Sequence, residues 1–163
     1  MTFRTLGAAV IVGVVAAAAP VANAATATAN LTVTATVLST CSVAAGSLAF
    51  GNYDPTSASN VDQAGTFQVT CTKGTSASVG LDTGSNASGS TRRMTDGTDF
   101  LSYELFKETA RTNVWSGSGD GLVSLAAAPS NAAQTLTVYG RVSGSQNVRA
   151  GSYSDTVVIT VTF

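Results

Sequence analysis

Apolar residues alternate with threonine through much of this chain, and this two-residue period constrains the fold more than any other feature. The alternation is most regular over residues 25–37, where every odd position is apolar and every even position is Thr or Asn. A period of two places successive side chains on opposite faces of a β-strand. After residue 24, no segment keeps the i, i+3, i+4 spacing of an amphipathic helix. The sequence therefore predicts an all-β protein.

Eight segments combine this alternation with flanking turn residues such as Gly, Asn, Ser and Pro. The predicted strands are Ala27–Leu38, Ser47–Phe50, Gly65–Thr72, Ala77–Asp82, Phe100–Lys107, Asn113–Ser116, Thr135–Val142 and Ser154–Phe163. Many short strands with turn signals at this spacing favour an antiparallel β-sandwich over a barrel.

The first 24 residues carry the pattern of a secretory signal peptide. Arg4 precedes a 14-residue apolar stretch, Leu6–Ala19, and Ala22-Asn23-Ala24 fits the small-x-small cleavage rule. Fourteen residues are too few to cross the roughly 30 Å hydrocarbon core as a helix, so an uncleaved anchor is the weaker alternative. We expect cleavage after Ala24, and export through the inner membrane to the periplasm and then the cell surface.

Composition excludes several classes of function. Only 10% of residues are charged, the formal net charge is −1, and there is no histidine, so the chain lacks the commonest general base and metal ligand. We expect no enzymatic activity, cofactor, bound metal or nucleic acid, and no stable membrane insertion. In an exported protein the two cysteines, Cys41 and Cys71, most simply form a disulfide. A metal or redox pair is the alternative, but the CxxC spacing is missing.

Two alternating segments are unusually long, one at each end of the mature chain. Residues 25–40 would span about 50 Å as a single strand, more than one sandwich can use. The C-terminal segment places Tyr153, Val157, Ile159, Val161 and Phe163 on one face, interrupted only by Asp155. The N-terminal ribbon could therefore add a strand beside the C-terminal strand of another copy, with four side chains filling its groove. These are Ala27, Ala29, Leu31 and Val33. A long first strand with an unattached leader is the alternative.

Four segments of the mature chain resemble the spore coat protein U domain family, which includes subunits of archaic (Csu-type) chaperone–usher pili. They are Cys41 after the alternating leader, Leu48–Pro55, Tyr103–Trp115, and Thr137–Arg141 leading to Ala150–Phe163. The resemblance implies an incomplete immunoglobulin-like antiparallel β-sandwich that lacks its last strand. It also implies an N-terminal donor-strand extension over residues 25–34, a domain over residues 35–163, and a disulfide between Cys41 and Cys71.

The resemblance further implies a structural role in an extracellular fibre that serves adhesion and biofilm formation. The partners would be a periplasmic chaperone, an outer-membrane usher and further copies in a head-to-tail fibre assembled by donor-strand exchange. One alternative is a spore or cell-envelope coat protein of the same fold. Another is a monomeric secreted β-sandwich that binds carbohydrate through Trp115, Tyr103 and Phe106.

Several charged residues could suggest chemistry, but their surroundings in the sequence favour structural roles. We expect Arg92 and Arg93 to form a solvated basic pair in a loop, and Glu104 and Glu108 to be surface charges. Asp96, Asp99 and Asp120 lack the spacing of a calcium loop and are expected in solvated turns. Residues 117–121 are glycine-rich but lack the Lys-Ser/Thr of a phosphate-binding loop.

Overall fold

The computed structural model describes residues 23–163, and Thr36–Phe163 forms one compact unit. Eight strands and one short 3-10 turn make up this unit. The strands are β1 (Cys41–Ser47), β2 (Val61–Cys71), β3 (Ala77–Leu81), β4 (Arg92–Thr95), β5 (Phe100–Phe106), β6 (Val123–Leu125), β7 (Gln134–Val142) and β8 (Ile159–Thr162). The described residues contain no α-helix, which confirms the all-β prediction. Within them, no helix is long and apolar enough to cross a membrane.

The strands form two antiparallel sheets that enclose one apolar core. The larger sheet has the order β1-β2-β7-β5-β4, and the smaller has the order β6-β3-β8. Alternate residues of the central strands point inward, as the two-residue period predicts. Phe67 on β2 pairs with the buried Leu136 on β7, and Val69 on β2 and Val79 on β3 are fully buried. This arrangement is the incomplete immunoglobulin-like sandwich that the sequence analysis predicted.

A disulfide joins the first strand of the large sheet to the second. Cys41 opens β1, Cys71 closes β2, and the two residues face each other in the register of the β1–β2 pair. The covalent link closes a loop with a sequence separation of 30 residues. The predicted disulfide is therefore confirmed.

Three of the predicted strands were wrong. Residues 27–38 contain no strand, since an alternating sequence becomes a strand only where its backbone pairs with another strand. Of Ser47–Phe50 only Ser47 belongs to a strand, since the pairing of β1 with β2 becomes irregular between Ala44 and Ser47. The third, residues 113–116, makes only an isolated bridge from Val114 to Phe106.

The C-terminal strand is shorter than predicted, and three strands were missed. Ser154 bonds to Thr95 on β4, whereas the chain joins β3 only from residue 158 onward, so the segment crosses from one sheet to the other. The missed strands are β1, β4 and β6. β1 and β6 contain few large apolar side chains, and β4 begins with two arginines.

The predicted solvated pair Arg92-Arg93 was also wrong. Both residues belong to β4, and the Arg92 side chain is only 2% exposed. Its guanidinium donates hydrogen bonds to the carbonyl oxygens of Leu81, Asp82 and Trp115, at 2.7–2.9 Å, and pairs with the Glu104 carboxylate. Because Leu81 ends β3 and Glu104 lies on β5, Arg92 ties the two sheets together. The charge of two adjacent arginines in the sequence does not show whether they lie in a solvated loop or on a buried strand.

The predicted signal peptide, residues 1–24, lies outside the described residues except for residues 23 and 24. The extension, residues 25–34, lies within the described residues and contains neither helix nor strand. All four predicted donor side chains are exposed there, with Leu31 87% and Val33 82% exposed.

Candidate functional site

An open groove runs between the two sheets at the side where the sandwich is incomplete. Its volume is about 1040 Å³. Residues 46–53 form one wall, residues 148–157 with Ile159 form the other, and apolar side chains of the core form the floor. The floor residues include Phe67, Leu81, Leu101, Tyr103, Leu105 and Val138. A groove of this shape and lining suits an extended chain with apolar side chains on one face.

The C-terminal segment presents an open backbone edge to the groove. Asp82 on the β3 side donates from its backbone N–H to the Val158 carbonyl at 3.1 Å, so the even residues of β8 bond to β3. In an antiparallel pair these bonds alternate along the strand. The N–H and C=O groups of Val157, Ile159 and Val161 therefore point away from β3, and no described strand lies on that side.

The same three residues supply the apolar face of this wall. Val157, Ile159 and Val161 pack against the core, whereas Val158, on the opposite face, is 55% exposed. Tyr153 also packs against the core at one end of the segment, and Phe163 at the other end is 56% exposed. The five apolar residues of the C-terminal face thus lie along one segment, and three of them, Tyr153, Val157 and Ile159, line the groove.

The opposite wall depends on close packing over two glycines. Leu48 and Phe50 lie directly on β7, where a Cβ on Gly140 would come within 2.7–2.9 Å of their side chains. A Cβ on Gly65 would likewise come within 2.3 Å of the Ser47 carbonyl oxygen. Because neither glycine has a side chain, residues 47–50 can turn inward from β1 and line the groove. Sequence spacing alone did not reveal these contacts.

The inner face of β1 is left partly uncovered beside this wall. Val43 lies opposite Val69 in the β1–β2 register, so both side chains point to the interior of the sandwich. Val69 is fully buried, but Val43 is 41% exposed. Val43 therefore faces the interior of the sandwich while part of its side chain remains open to solvent.

Asp155, the polar interruption in the C-terminal face, anchors the segment where it crosses between the sheets. The Tyr103 hydroxyl donates to Asp155 Oδ2 at 2.7 Å, and the backbone N–H and side-chain amide of Asn86 donate to Oδ1 at 3.2 and 2.9 Å. Burial and the neighbouring Asp155 carboxylate raise the pKa of Tyr103 far above its usual value. The side chain therefore stays protonated and continues to donate its hydrogen bond.

The alternative of carbohydrate binding through aromatic side chains is not supported. Trp115 is 1% exposed, its indole N–H donates to the Val79 carbonyl at 2.9 Å, and its ring lies against Phe67. Tyr103 and Phe106 are also buried. A sugar can stack only on an accessible ring face, so these residues are part of the core.

The remaining charged candidates take part in local turns. Glu108 is exposed and accepts hydrogen bonds from Thr112 and Asn113, which lower its pKa to about 2. Backbone N–H groups of Asp99 and Thr98 bond to Asp96 and lower its pKa. Glu104 was expected to be a surface charge but instead pairs with the buried Arg92. Residues 23–163 contain no cluster of three or more potential metal-ligating side chains.

The chain is an all-β sandwich with one open side and one disulfide, and comparison with known proteins shows which family has this sequence. The Spore Coat Protein U domain matches residues 27–160, and the chain belongs to this family. The chain is similar to "Protein U" of Myxococcus xanthus, with 43% identity over 160 residues, covering 87% of this chain and 88% of the relative.

A solved structure shares the fold. It is the pre-assembly complex of the chaperone CsuC with the tip adhesion subunit CsuE, from archaic chaperone–usher Csu pili of Acinetobacter baumannii. The match has a TM-score of 0.58 and 27% sequence identity, and covers 78% of this chain. It spans 41% of the matched chain of that complex.

Proposed function

We propose that this chain is a structural subunit of an extracellular fibre, polymerised by donor-strand exchange in a chaperone–usher pathway. The groove carries the proposal, because it combines an apolar floor, an open strand edge and a partly uncovered β1. The family membership and the likeness to a structure from chaperone–usher pili support it. Adhesion and biofilm formation would be the role of the finished fibre.

The N-terminal extension has the pattern that the groove requires. Ala27, Ala29, Leu31 and Val33 share one face of the alternating ribbon, and all are exposed. Burying a Leu or Val side chain contributes roughly 1.5–3 kcal/mol, and the backbone of the ribbon would bond to the open edge at Val157, Ile159 and Val161. Ordering the extension offsets part of this gain. In another copy's groove, the extension would therefore complete the sandwich.

The position of the root of the extension, residues 36–40, sets the direction of the donor strand. Cys41 pairs with Cys71, and a short turn leads from Cys71 to β3, where Ser78 pairs with Thr162. The root and the C-terminal end of the groove therefore lie at the same end of the sandwich. In a fibre that grows in a straight line, the next copy must sit at the other end, near Tyr153. Its donor strand then runs antiparallel to β8, with Leu31 and Val33 nearer Tyr153 and with Ala27 and Ala29 nearer Phe163.

An open apolar groove and a free sheet edge are liabilities for a monomer in water. The proposal therefore includes a periplasmic chaperone that covers the groove until an outer-membrane usher exchanges it for the extension of the next subunit. The resulting interface is head-to-tail and does not close on itself, so it produces a fibre. Folding free energy drives the exchange without a cofactor.

Surface-sheared material from expressing cells tests the proposal. Unheated SDS samples should give a ladder of multimers that collapses to a monomer on boiling, because separation requires the whole groove to be exposed at once. Deletion of residues 25–33 should abolish the ladder but leave the chaperone complex intact. A single monomer band from the unmodified chain, or a normal ladder from the deletion variant, would contradict donor-strand exchange.

A coat component of a spore or cell envelope is the second candidate, favoured by the match to the Spore Coat Protein U domain. Such a coat could use the same groove and extension. Electron microscopy of the assembled material distinguishes the two, since a pilus gives separate filaments and a coat gives a continuous layer.

A further inference from the structure

Hydrogen bonds to Thr72 hold the root of the extension, and they affect whether the extension can enter its own groove or that of another copy. Thr72, the residue after β2, donates from its backbone N–H to the Thr40 carbonyl at 2.8 Å. Its hydroxyl accepts a hydrogen bond from the Thr40 N–H and donates one to the Leu38 carbonyl, each at 3.2 Å. Thr40 and Thr72 thus continue the β1–β2 register by one residue beyond the disulfide.

Insertion of the extension into its own groove would require a different path at this point. The root lies at the C-terminal end of the groove, so a self-inserted strand would have to reverse direction within residues 38–40 and return beside β1. Three-residue reversals exist in β-hairpins, and the chain length alone does not forbid one. The bonds to Thr72 oppose it, because they hold Leu38 and Thr40 as a continuation of β1.

We propose that the hydroxyl of Thr72, together with the adjacent disulfide, directs the extension to another copy by holding the root of the extension in line with β1. This inference rests on the proposed function and adds a residue that sets specificity for intermolecular over intramolecular insertion. Self-insertion would fill the groove and end polymerisation, so a subunit with a rigid root gains assembly competence. Cys41 fixes one side of the root to β2 covalently, and Thr72 fixes the residues just before it.

A binding assay at high dilution tests the inference. The mature chain, residues 25–163, is diluted from denaturant to nanomolar concentration, where contacts between copies are rare but self-insertion is unaffected. A fluorescent peptide with the sequence of residues 25–37 then reports open grooves by its anisotropy. We expect the unmodified chain to bind the peptide. Thr72→Val should raise the ratio of self-filled to open monomers by about tenfold, as expected for losing one or two hydrogen bonds. Fewer open grooves then remain to bind the peptide.

Three further variants make the result specific. Thr72→Ser keeps the hydroxyl and should bind the peptide as the unmodified chain does. Thr70→Val makes the same change two residues earlier on β2, where no side-chain hydrogen bond is described within residues 23–163, and should also leave binding unchanged. Insertion of two glycines after Ser39 keeps Thr72 but loosens the root, and should reduce binding even if Thr72→Val fails to fold.

Peptide binding by the unmodified chain and by the variants gives separate outcomes. If the unmodified chain does not bind the peptide, the proposed function is wrong and the inference falls with it. If it binds, and both Thr72→Val and the glycine insertion bind equally well, the groove is confirmed as an acceptor but Thr72 does not direct the extension.

Discussion

Leu31 provides the sharpest test of the donor assignment. Its side chain is 87% exposed within the extension, so changing it should not alter the folded unit of residues 36–163. In the proposed fibre the same side chain is buried in a groove lined by apolar residues such as Phe50 and Val157. Its effect should therefore appear only when two copies join.

The expected magnitude follows from the burial of one leucine. Replacing a buried Leu by Ala costs about 2–5 kcal/mol, which includes the cavity left behind. A peptide of residues 25–37 carrying Leu31→Ala should therefore bind the mature chain roughly 30-fold to more than 1,000-fold more weakly than the unmodified peptide. Because a peptide has no fold to lose, this loss reflects the groove contact directly.

In the full chain the change is Leu31→Asp, and the readout is the ladder of multimers from surface-sheared material. A carboxylate has no described cationic partner in the apolar floor, and burying it there costs more than losing the leucine. The ladder should disappear. Thr32→Asp is the matched control, since it adds the same charge on the opposite face of the ribbon, and it should preserve the ladder. Equal ladders from the two variants would refute the assignment of Leu31 to the groove.

Three other predictions concern the domain itself. Arg92→Met should lower the free energy of unfolding by about 3 kcal/mol, because it leaves Glu104 and three carbonyl groups without their donor. Urea denaturation measures this free energy, and a loss below 1 kcal/mol would contradict the buried role. Tyr103→Phe and Asp155→Asn should each cost about 1 kcal/mol, and the double variant should cost less than their sum because the two side chains share a hydrogen bond; full additivity would speak against a linked anchor. Glu108 has a pKa lowered from 4.5 to about 2, so its charge stabilises the fold above pH 4.5 and this contribution is lost as the pH falls through 2. Glu108→Gln should therefore be less stable than the unmodified chain at pH 7, and the difference should vanish towards pH 2; a constant difference would show that the charge is not responsible.

The interior strands could be read from the sequence because their alternation reports burial directly. β2, β3, β5 and β7 all lie within or close to their predicted ranges, since each places every second side chain in the core. β4 was not predicted because the buried Arg92 guanidinium finds its hydrogen-bond partners on β3, on β5 and at Trp115. Such long-range partners leave no local pattern.

The groove was predictable in part. The apolar alternation of the C-terminal segment predicted an apolar face there, and Tyr153, Val157 and Ile159 of that face line the groove. The opposite wall depends on the contact of Leu48 and Phe50 with Gly140, which is about 90 residues away in the sequence. The role of Asp155 depends on Tyr103 and Asn86 in the same way. Periodicity identifies faces, but it does not say which distant segments meet.

Hydrogen exchange at the backbone amides of Val157, Ile159 and Val161 tests the central claim most directly. These N–H groups point to the open edge of β8, so they should exchange rapidly in a monomer carrying Leu31→Asp and become strongly protected in the assembled fibre. Amides of β2 and β7 should be protected in both states and serve as the internal reference. Full protection of the three edge amides in an isolated monomer with no helper bound, or rapid exchange in the fibre, would show that the groove does not receive a strand from another copy.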